Sequence, residues 1–277
     1  MRLVVVGDIH AQSDKLWRIL READLADDAH RPTDRLSDPD QDVRLVLLGD
    51  LVHAKSRERY ADLTEVRRYD EHNPRHLRKA EAAQEAFLRE VMAFQAALPE
   101  GRMVVLLGNH DHNAIDDEQG PLRTDDVSHL EWKAAYGGEL PADLRTWIGG
   151  WPRELAVEGL HLAHVGPRPE HNTYDHGFYL ENRRRWIYEE VDALEGTPYR
   201  LGIYGHTPVR GGVNIASQGR AILLDTNGHG EEYAYLEVEI APQGYRVRMR
   251  GLFFDELIAR PVPDGETAAA PSTATDA

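Results

Sequence analysis

The sequence predicts an α/β chain in which mixed β-sheets are flanked by helices. Three observations lead there. Short apolar runs ending in Gly plus a polar residue recur in the first half. Stretches with apolar residues at helical spacing separate them. Hairpin-like strand pairs dominate the second half.

The first run, Leu3-Val4-Val5-Val6, leads into Gly7-Asp8. The second, Leu45-Val46-Leu47-Leu48, leads into Gly49-Asp50, and the third, Met103-Val104-Val105-Leu106-Leu107, into Gly108-Asn109-His110. Such continuously apolar runs suit strands buried on both faces. Their polar groups then project from the C-terminal ends, where open α/β sheets place their ligands. Residues 15–23 carry Leu16, Ile19, Leu20 and Ala23 on one face and predict a short helix. Residues 24–42 are polar, contain Pro32 and Pro39, and read as a loop. Residues 76–98 hold Leu77, Ala80, Phe87, Leu88, Val91 and Phe94 near helical spacing, stopped by Pro99 and Gly101. In the second half, residues 154–157 and 160–162 flank Glu158-Gly159 as a hairpin. Residues 201–204, 221–224, 233–240 and 245–252 read as further strands, the last two joined by Pro242-Gln243-Gly244. The expected organisation is a single domain over residues 1–260 and a disordered tail over residues 261–277, rich in Ala, Thr and Pro and without periodicity.

Composition narrows the chemistry. The chain has no cysteine, so disulfides and thiolate metal sites are excluded. Any metal must be held by His, Asp, Glu or Asn, which favours a hard or borderline cation. The net charge of −16 argues against broad binding to nucleic acid, which rests on basic surface. It leaves anionic substrates open, because any bound cations would reverse the field locally. No apolar run reaches the ~18–20 residues of a membrane helix. The N-terminus lacks the apolar core and small-residue cleavage site of a secretory signal, so the expected location is the cytoplasm.

Five motifs stand in order: Gly7-Asp8-Ile9-His10, Gly49-Asp50, Gly108-Asn109-His110-Asp111, Ala163-His164-Val165-Gly166 and Gly205-His206-Thr207. Any one alone reads as an ordinary turn or polar loop. Together, each following a strand-like run and each ending in a side chain that binds metal or moves a proton, they point to a metal site. Asp8 and His10 are two residues apart and can reach one ion together from a strand-end turn.

This ordered set resembles the calcineurin-like metallophosphoesterase superfamily, and the resemblance runs from Gly7 to about Gly228. It implies a four-layer αββα sandwich with two divalent metal ions at the strand ends, manganese first, with iron, zinc or magnesium as alternatives. It implies Asp8 and His10 as ligands of the first metal, Asp50 as the bridging carboxylate, and Asn109, His164 and His206 as ligands of the second. It implies His110 as the acid at the leaving group and Asp111 as the group that orients it. The implied reaction is hydrolysis of a phosphate ester by in-line attack of a hydroxide bridging the metals.

Departures from the family pattern narrow the branch. Where many members have a second His, this chain has Pro208, so the first metal is left with Asp8, His10 and Asp50 from the protein. That looks like the phosphoprotein-phosphatase branch, which includes diadenosine-tetraphosphate hydrolases. Leu224-Asp225-Thr226 resembles an Asp-Thr element of that branch and marks Asp225 as a carboxylate behind the ligands. The phosphate-gripping Arg of the branch falls at Ala54. Lys55 and Arg168 are the candidates to replace it, with Arg57 and Arg210 behind them. His53, His112 and His171 read as polar loop residues, and Arg183-Arg184-Arg185 before Trp186 as a solvated helix face. The expected activity is a phosphomonoesterase acting on phosphoprotein or small phosphate esters. The alternatives are a dinucleoside polyphosphate hydrolase or phosphodiesterase, and a scaffold that keeps the fold without the chemistry.

Overall fold

The computed structural model describes residues 1–116, 118–124, 126–166, 194–216, 219–226, 228, 231–253 and 255–261. The three apolar runs form β1 (Arg2–Val6), β2 (Val43–Leu47) and β3 (Met103–Val105), paired in parallel in that order. Between β1 and β2 lie α1 (Ser13–Glu22) and the single turn α2 (Asp34–Ser37), the latter within the expected loop. Between β2 and β3 lie α3 (Arg57–Thr64) and α4 (Pro74–Ala96). Helix α4 starts two residues before its apolar periodicity. Pro74 suits its first turn, and the Asn73 side chain accepts from the Arg75 N–H at 3.0 Å.

After β3 the chain turns directly into α5 (Asn109–Ile115). A two-stranded ribbon, β4 (Arg123–Thr124) and β5 (Val127–Ser128), and then α6 (Ala142–Gly149) follow. The second sheet opens with the expected hairpin, β6 (Glu154–Val157) antiparallel to β7 (Leu160–Ala163). It continues through β8 (Leu201–Tyr204), β9 (Val213–Ala216) and β10 (Ala221–Leu224), in the spatial order β6-β7-β8-β10-β9. In it β7, β8 and β10 run parallel. The chain then returns to the first sheet. There β11 (Ala234–Ala241) pairs antiparallel with β1, and β12 (Gly244–Gly251) and β13 (Asp255–Pro261) complete the order β13-β12-β11-β1-β2-β3.

The period-two alternation of β1 sorts its side chains between two cores. Leu3 and Val5, with Val46 and Leu48, pack against Leu160, Leu162, Ile203 and Ile222 of the second sheet. Val4 and Val6, with Leu45 and Leu47, pack against Trp17, Leu20, Phe87, Leu88 and Val91 of the helices. Each such buried side chain contributes roughly 1.5–3 kcal/mol of transfer free energy. Two mixed sheets face to face, with helices outside the first, give the expected sandwich. On the outer face of the second sheet, Leu194, Tyr199 and Val209 pack over Ala163, Tyr204 and Leu223. The expected tail lies outside the described residues from residue 262 onward. No helix among the described residues is long and apolar enough to cross a membrane.

Candidate metal centre

Both sheets deliver polar residues at the C-terminal ends of their parallel strands. Asp8 follows β1, Asp50 follows β2, Asn109 opens α5 just past β3, His164 follows β7, His206 follows β8 and Asp225 follows β10. The turns that carry them are tight. His10, Asp50, His53 and His206 have φ of 50°, 52°, 64° and 62°, the left-handed region. Each such residue costs roughly 1–2 kcal/mol, so the surroundings must hold it there. The β2 turn is held by Asp111, whose carboxylate accepts from the backbone N–H groups of Asp50 at 2.7 Å, Leu51 at 2.9 Å, Val52 at 3.3 Å and Gly108 at 3.2 Å. The His10 N–H donates to the Asp50 carbonyl at 2.8 Å, and the His206 N–H to Asp8 Oδ1 at 3.0 Å. Gly108 is needed for contact: a Cβ there would collide with the Asp50 amide and carboxylate.

The six residues expected from the sequence as ligands converge in two groups that share Asp50. In the first, His10 Nε2 lies 3.4 Å from Asp8 Oδ2 and 3.6 Å from Asp50 Oδ2. These three atoms are buried and make no hydrogen bond among the described residues. In the second, His164 Nε2 lies 3.0 Å from Asn109 Oδ1, 3.2 Å from His206 Nδ1 and 3.3 Å from Asp50 Oδ2. His206 Nδ1 is 2.6 Å from Asn109 Oδ1. Ligand atoms about 2.0–2.2 Å from one ion sit roughly 3–3.5 Å apart, so both groups have the dimensions of a coordination sphere. Buried polar atoms are otherwise nearly always paired, which makes the three orphans of the first group an argument for a cation. The donor set of imidazole, carboxylate and amide oxygen without sulfur fits a hard or borderline divalent ion. The far nitrogens are fixed as well: His164 Nδ1 contacts the Leu48 carbonyl at 2.9 Å and His10 Nδ1 the His53 carbonyl at 3.0 Å.

Crowding of like groups shifts their protonation. Burial, then the charges of Asp225 and Asp50, raise Asp8 well above the usual carboxylate range. Burial also raises Asp50, but His164 and His110 outweigh it and hold Asp50 well below that range. Burial lowers His164, yet Asp50 and Asp8 outweigh it and push its pKa up to about 9. Burial pushes Asp111 up to about 7, with Asp50 adding to the effect.

His110 stands at the edge of the centre, its Nε2 4.0 Å from Asp50 Oδ2 and its N–H donating to Asp50 Oδ1 at 2.8 Å. Here the structure corrects the sequence reading. Asp111 braces the β2 turn and does not orient the His110 ring, because its oxygens are taken by backbone N–H groups. The His110 Nδ1 lies 3.1 Å from His53 Nδ1 instead. Burial lowers the His110 pKa well below the ordinary histidine value. His53 and the buried His129 are the site residues that sequence reasoning missed. The spacing Asp50-x-x-His53 was the one available signal, and nothing local marks His129.

The substrate-side candidates divide. Lys55 is half-buried and near enough for its charge to lower the pKa of His10 and His110. Arg57 is committed to Glu71, its Nε and Nη2 donating at 3.0 and 2.7 Å. Arg210 is exposed. Arg168, His171 and Arg183 to Trp186 lie outside the described residues. Asp225 is buried and raises Asp8, which fits a carboxylate behind the ligands. His112 is half-buried, its Nδ1 3.2 Å from Gln119 Nε2. A cavity of about 590 Å³ adjoins the centre at His10 and Ala54 and is lined further by Lys15, Arg18, Arg59 and Tyr233.

The family model described as calcineurin-like phosphoesterase matches residues 1–224. Among solved structures, the chain is similar to a metallophosphoesterase from Sphaerobacter thermophilus, at 16% identity and a TM-score of 0.49, covering 92% of this chain and 89% of that one. It is also similar to a protein serine/threonine phosphatase from Saccharomyces cerevisiae with similarity to human PP5, at 12% identity and a TM-score of 0.48, covering 95% and 82%. No curated protein matches.

Proposed function

Because the chain belongs to the calcineurin-like phosphoesterase family and is a metal-dependent phosphoester hydrolase, we propose that its substrate is a phosphate monoester. We propose further that the metals are two divalent cations, with manganese the first choice. Asp8, His10 and Asp50 would hold the first, and Asp50, Asn109, His164 and His206 the second. The observation that carries this reading is Asp50 Oδ2, a buried oxygen without a hydrogen bond, 3.6 Å from His10 Nε2 and 3.3 Å from His164 Nε2. One atom between two imidazole groups is the geometry of a bridging ligand.

Bound there, the cations supply a nucleophilic hydroxide at neutral pH and charge stabilisation for the phosphoryl oxygens. The chain's own residues do the rest. Asp111 and Gly108 hold the β2 turn so that Asp50 faces both groups. His110 Nε2 points to the rim of the centre, where it would donate to the leaving oxygen. Lys55 would hold a phosphoryl oxygen as a point charge, without the two-pronged grip of Arg.

The adjoining cavity favours a second reading. At about 590 Å³, with Lys15, Arg18 and Arg59 beside Asp14, Asp62 and Glu231 on its wall, it has room for the longer leaving group of a dinucleoside polyphosphate. Elemental analysis and turnover of nitrophenyl phosphate, bis-nitrophenyl phosphate and diadenosine tetraphosphate separate the cases. The expected outcome is bound metal and fastest turnover of the monoester. Fastest turnover of diadenosine tetraphosphate would favour the second reading. Turnover undiminished after the metal is stripped would sink both.

A further inference from the structure

We propose that His53 is a positioning residue for His110, donating a hydrogen bond from its Nδ1 so that the His110 Nε2–H faces the metal centre. The inference rests on the reading of His110 as the leaving-group donor, and extends it to how that donor is set.

Residue 53 is tied into the centre on several sides. Its carbonyl contacts His10 Nδ1 at 3.0 Å, and its ring Nδ1 meets His110 Nδ1 at 3.1 Å. Its own N–H donates to Gln84 Oε1 at 2.7 Å. The backbone is left-handed, φ 64°, and the side chain is wholly buried. The ring cannot swing. It stacks on His129 with centroids 4.5 Å apart and planes within 5°. His129 is itself clamped, its Nδ1 2.9 Å from the Tyr60 hydroxyl and its Nε2 2.8 Å from Thr124 Oγ1.

Between two neutral imidazoles that meet at Nδ1, one proton is shared, and there are two ways to place it. If His110 donates, its Nε2 presents a lone pair to the centre, and His53 must carry its proton on Nε2. That atom is buried and has no hydrogen-bond partner among the described residues. An unaccepted buried N–H is among the rarest defects of folded proteins. If His53 donates, its Nε2 keeps only a lone pair, and His110 carries its proton on Nε2. That nitrogen lies at the edge of the centre, 4.0 Å from Asp50 Oδ2, with room for a leaving oxygen to accept from it. The buried end of the pair, at His53 Nε2, therefore favours the second arrangement. His110 then offers a hydrogen bond to the departing oxygen as a neutral ring, and water supplies the proton that the released alkoxide finally takes up.

Kinetics and spectroscopy test this on the metal-loaded protein. His53→Leu should lower kcat on an alkyl phosphate by about 10- to 100-fold, with KM unchanged and nitrophenyl phosphate affected less than about threefold, as for a lost leaving-group donor. His53→Asn, whose amide can donate from nearly the same place, should recover most of the loss. If His53→Leu turns over both substrates like wild type, or if His53→Asn is no better than His53→Leu, the proposal is overturned. His110→Ala separates the two levels: without a leaving-group dependence there, the reading of His110 fails and takes this inference with it. Wild-type protein loaded with diamagnetic zinc or magnesium gives a readout independent of folding defects. Imidazole ¹H–¹⁵N correlation should show the His110 proton on Nε2, and a proton on its Nδ1 would refute the assignment.

Discussion

Asp50 spends its two oxygens differently. Oδ1 accepts from the His110 N–H at 2.8 Å, while Oδ2 faces the rings of His10, His164 and His110 at 3.6, 3.3 and 4.0 Å. A neutral amide of the same shape keeps the first role and spoils the second. Asp50→Asn should therefore stay folded yet lose metal and on the order of 10³-fold in kcat, measured by elemental analysis and nitrophenyl phosphate turnover. Asn109 tests the two groups separately, since among the described residues its Oδ1 meets His164 and His206, both of the second group. Asn109→Ala should reduce bound metal from about two ions to about one and lower activity, whereas full occupancy would remove Asn109 from the ligand set. The ligand types were legible at this scale because Asp, Asn and His follow apolar runs that can only be strands. The His53–His110 contact was not, because it depends on how two loops 57 residues apart in sequence meet.

At the scale of elements, β1, β2 and β3 and the long helix α4 could be read directly, since each carries a strong apolar pattern. The short helix α3 could not. Its buried residues are Tyr60 and Thr64 alone, too few for a helical pattern, and the Ser56 cap accepts from the Arg59 N–H at 3.3 Å in a polar stretch. The start of α5 was equally hidden, because its first turn is spent on Asn109, His110 and Asp111 rather than on core residues. The junction of the β2 turn with α5 is where elements and site depend on each other. Gly108→Ala should push these two loops apart, destabilising the protein by about 1–3 kcal/mol and weakening metal binding together. Denaturant unfolding alongside metal titration checks this; a stable variant with unchanged affinity would show that the contact yields easily.

For the whole molecule, a net charge of −16 coexists with a centre whose carboxylates crowd around imidazoles. Without metal, His164 is raised to about 9 against an ordinary 6.5, so its contribution to stability is complete below about pH 6.5 and is lost as pH rises through 9. His129 is held down to about 3 by burial, so its contribution is present above about pH 6.5 and is lost as pH falls toward 3. The metal-free protein should thus lose stability as pH rises from 6.5 toward 9. Metal must displace the His164 proton, so affinity should drop as pH is lowered, and calorimetry in buffers of different ionisation enthalpy should register proton release on binding. A melting temperature that rises steadily from pH 6.5 to 9 without metal would contradict this. The reaction class was legible in the sequence because it needs only the ligand order. Substrate choice was not, because the cavity wall draws Lys15, Arg18, Arg59 and Tyr233 from distant segments with no shared motif.

The order in which these residues leave the ribosome follows from the topology. Asp8, His10 and Asp50 are all made early, whereas His206 emerges only after most of the second sheet, and β11, which flanks β1, is later still. A nascent chain therefore exposes half of a cation site long before the other half exists, beside a central strand with one edge unpaired. On the proposed assignment, the residues for the first ion are complete long before those for the second, and that acidic half-site must persist in the meantime without its sheet closed around it.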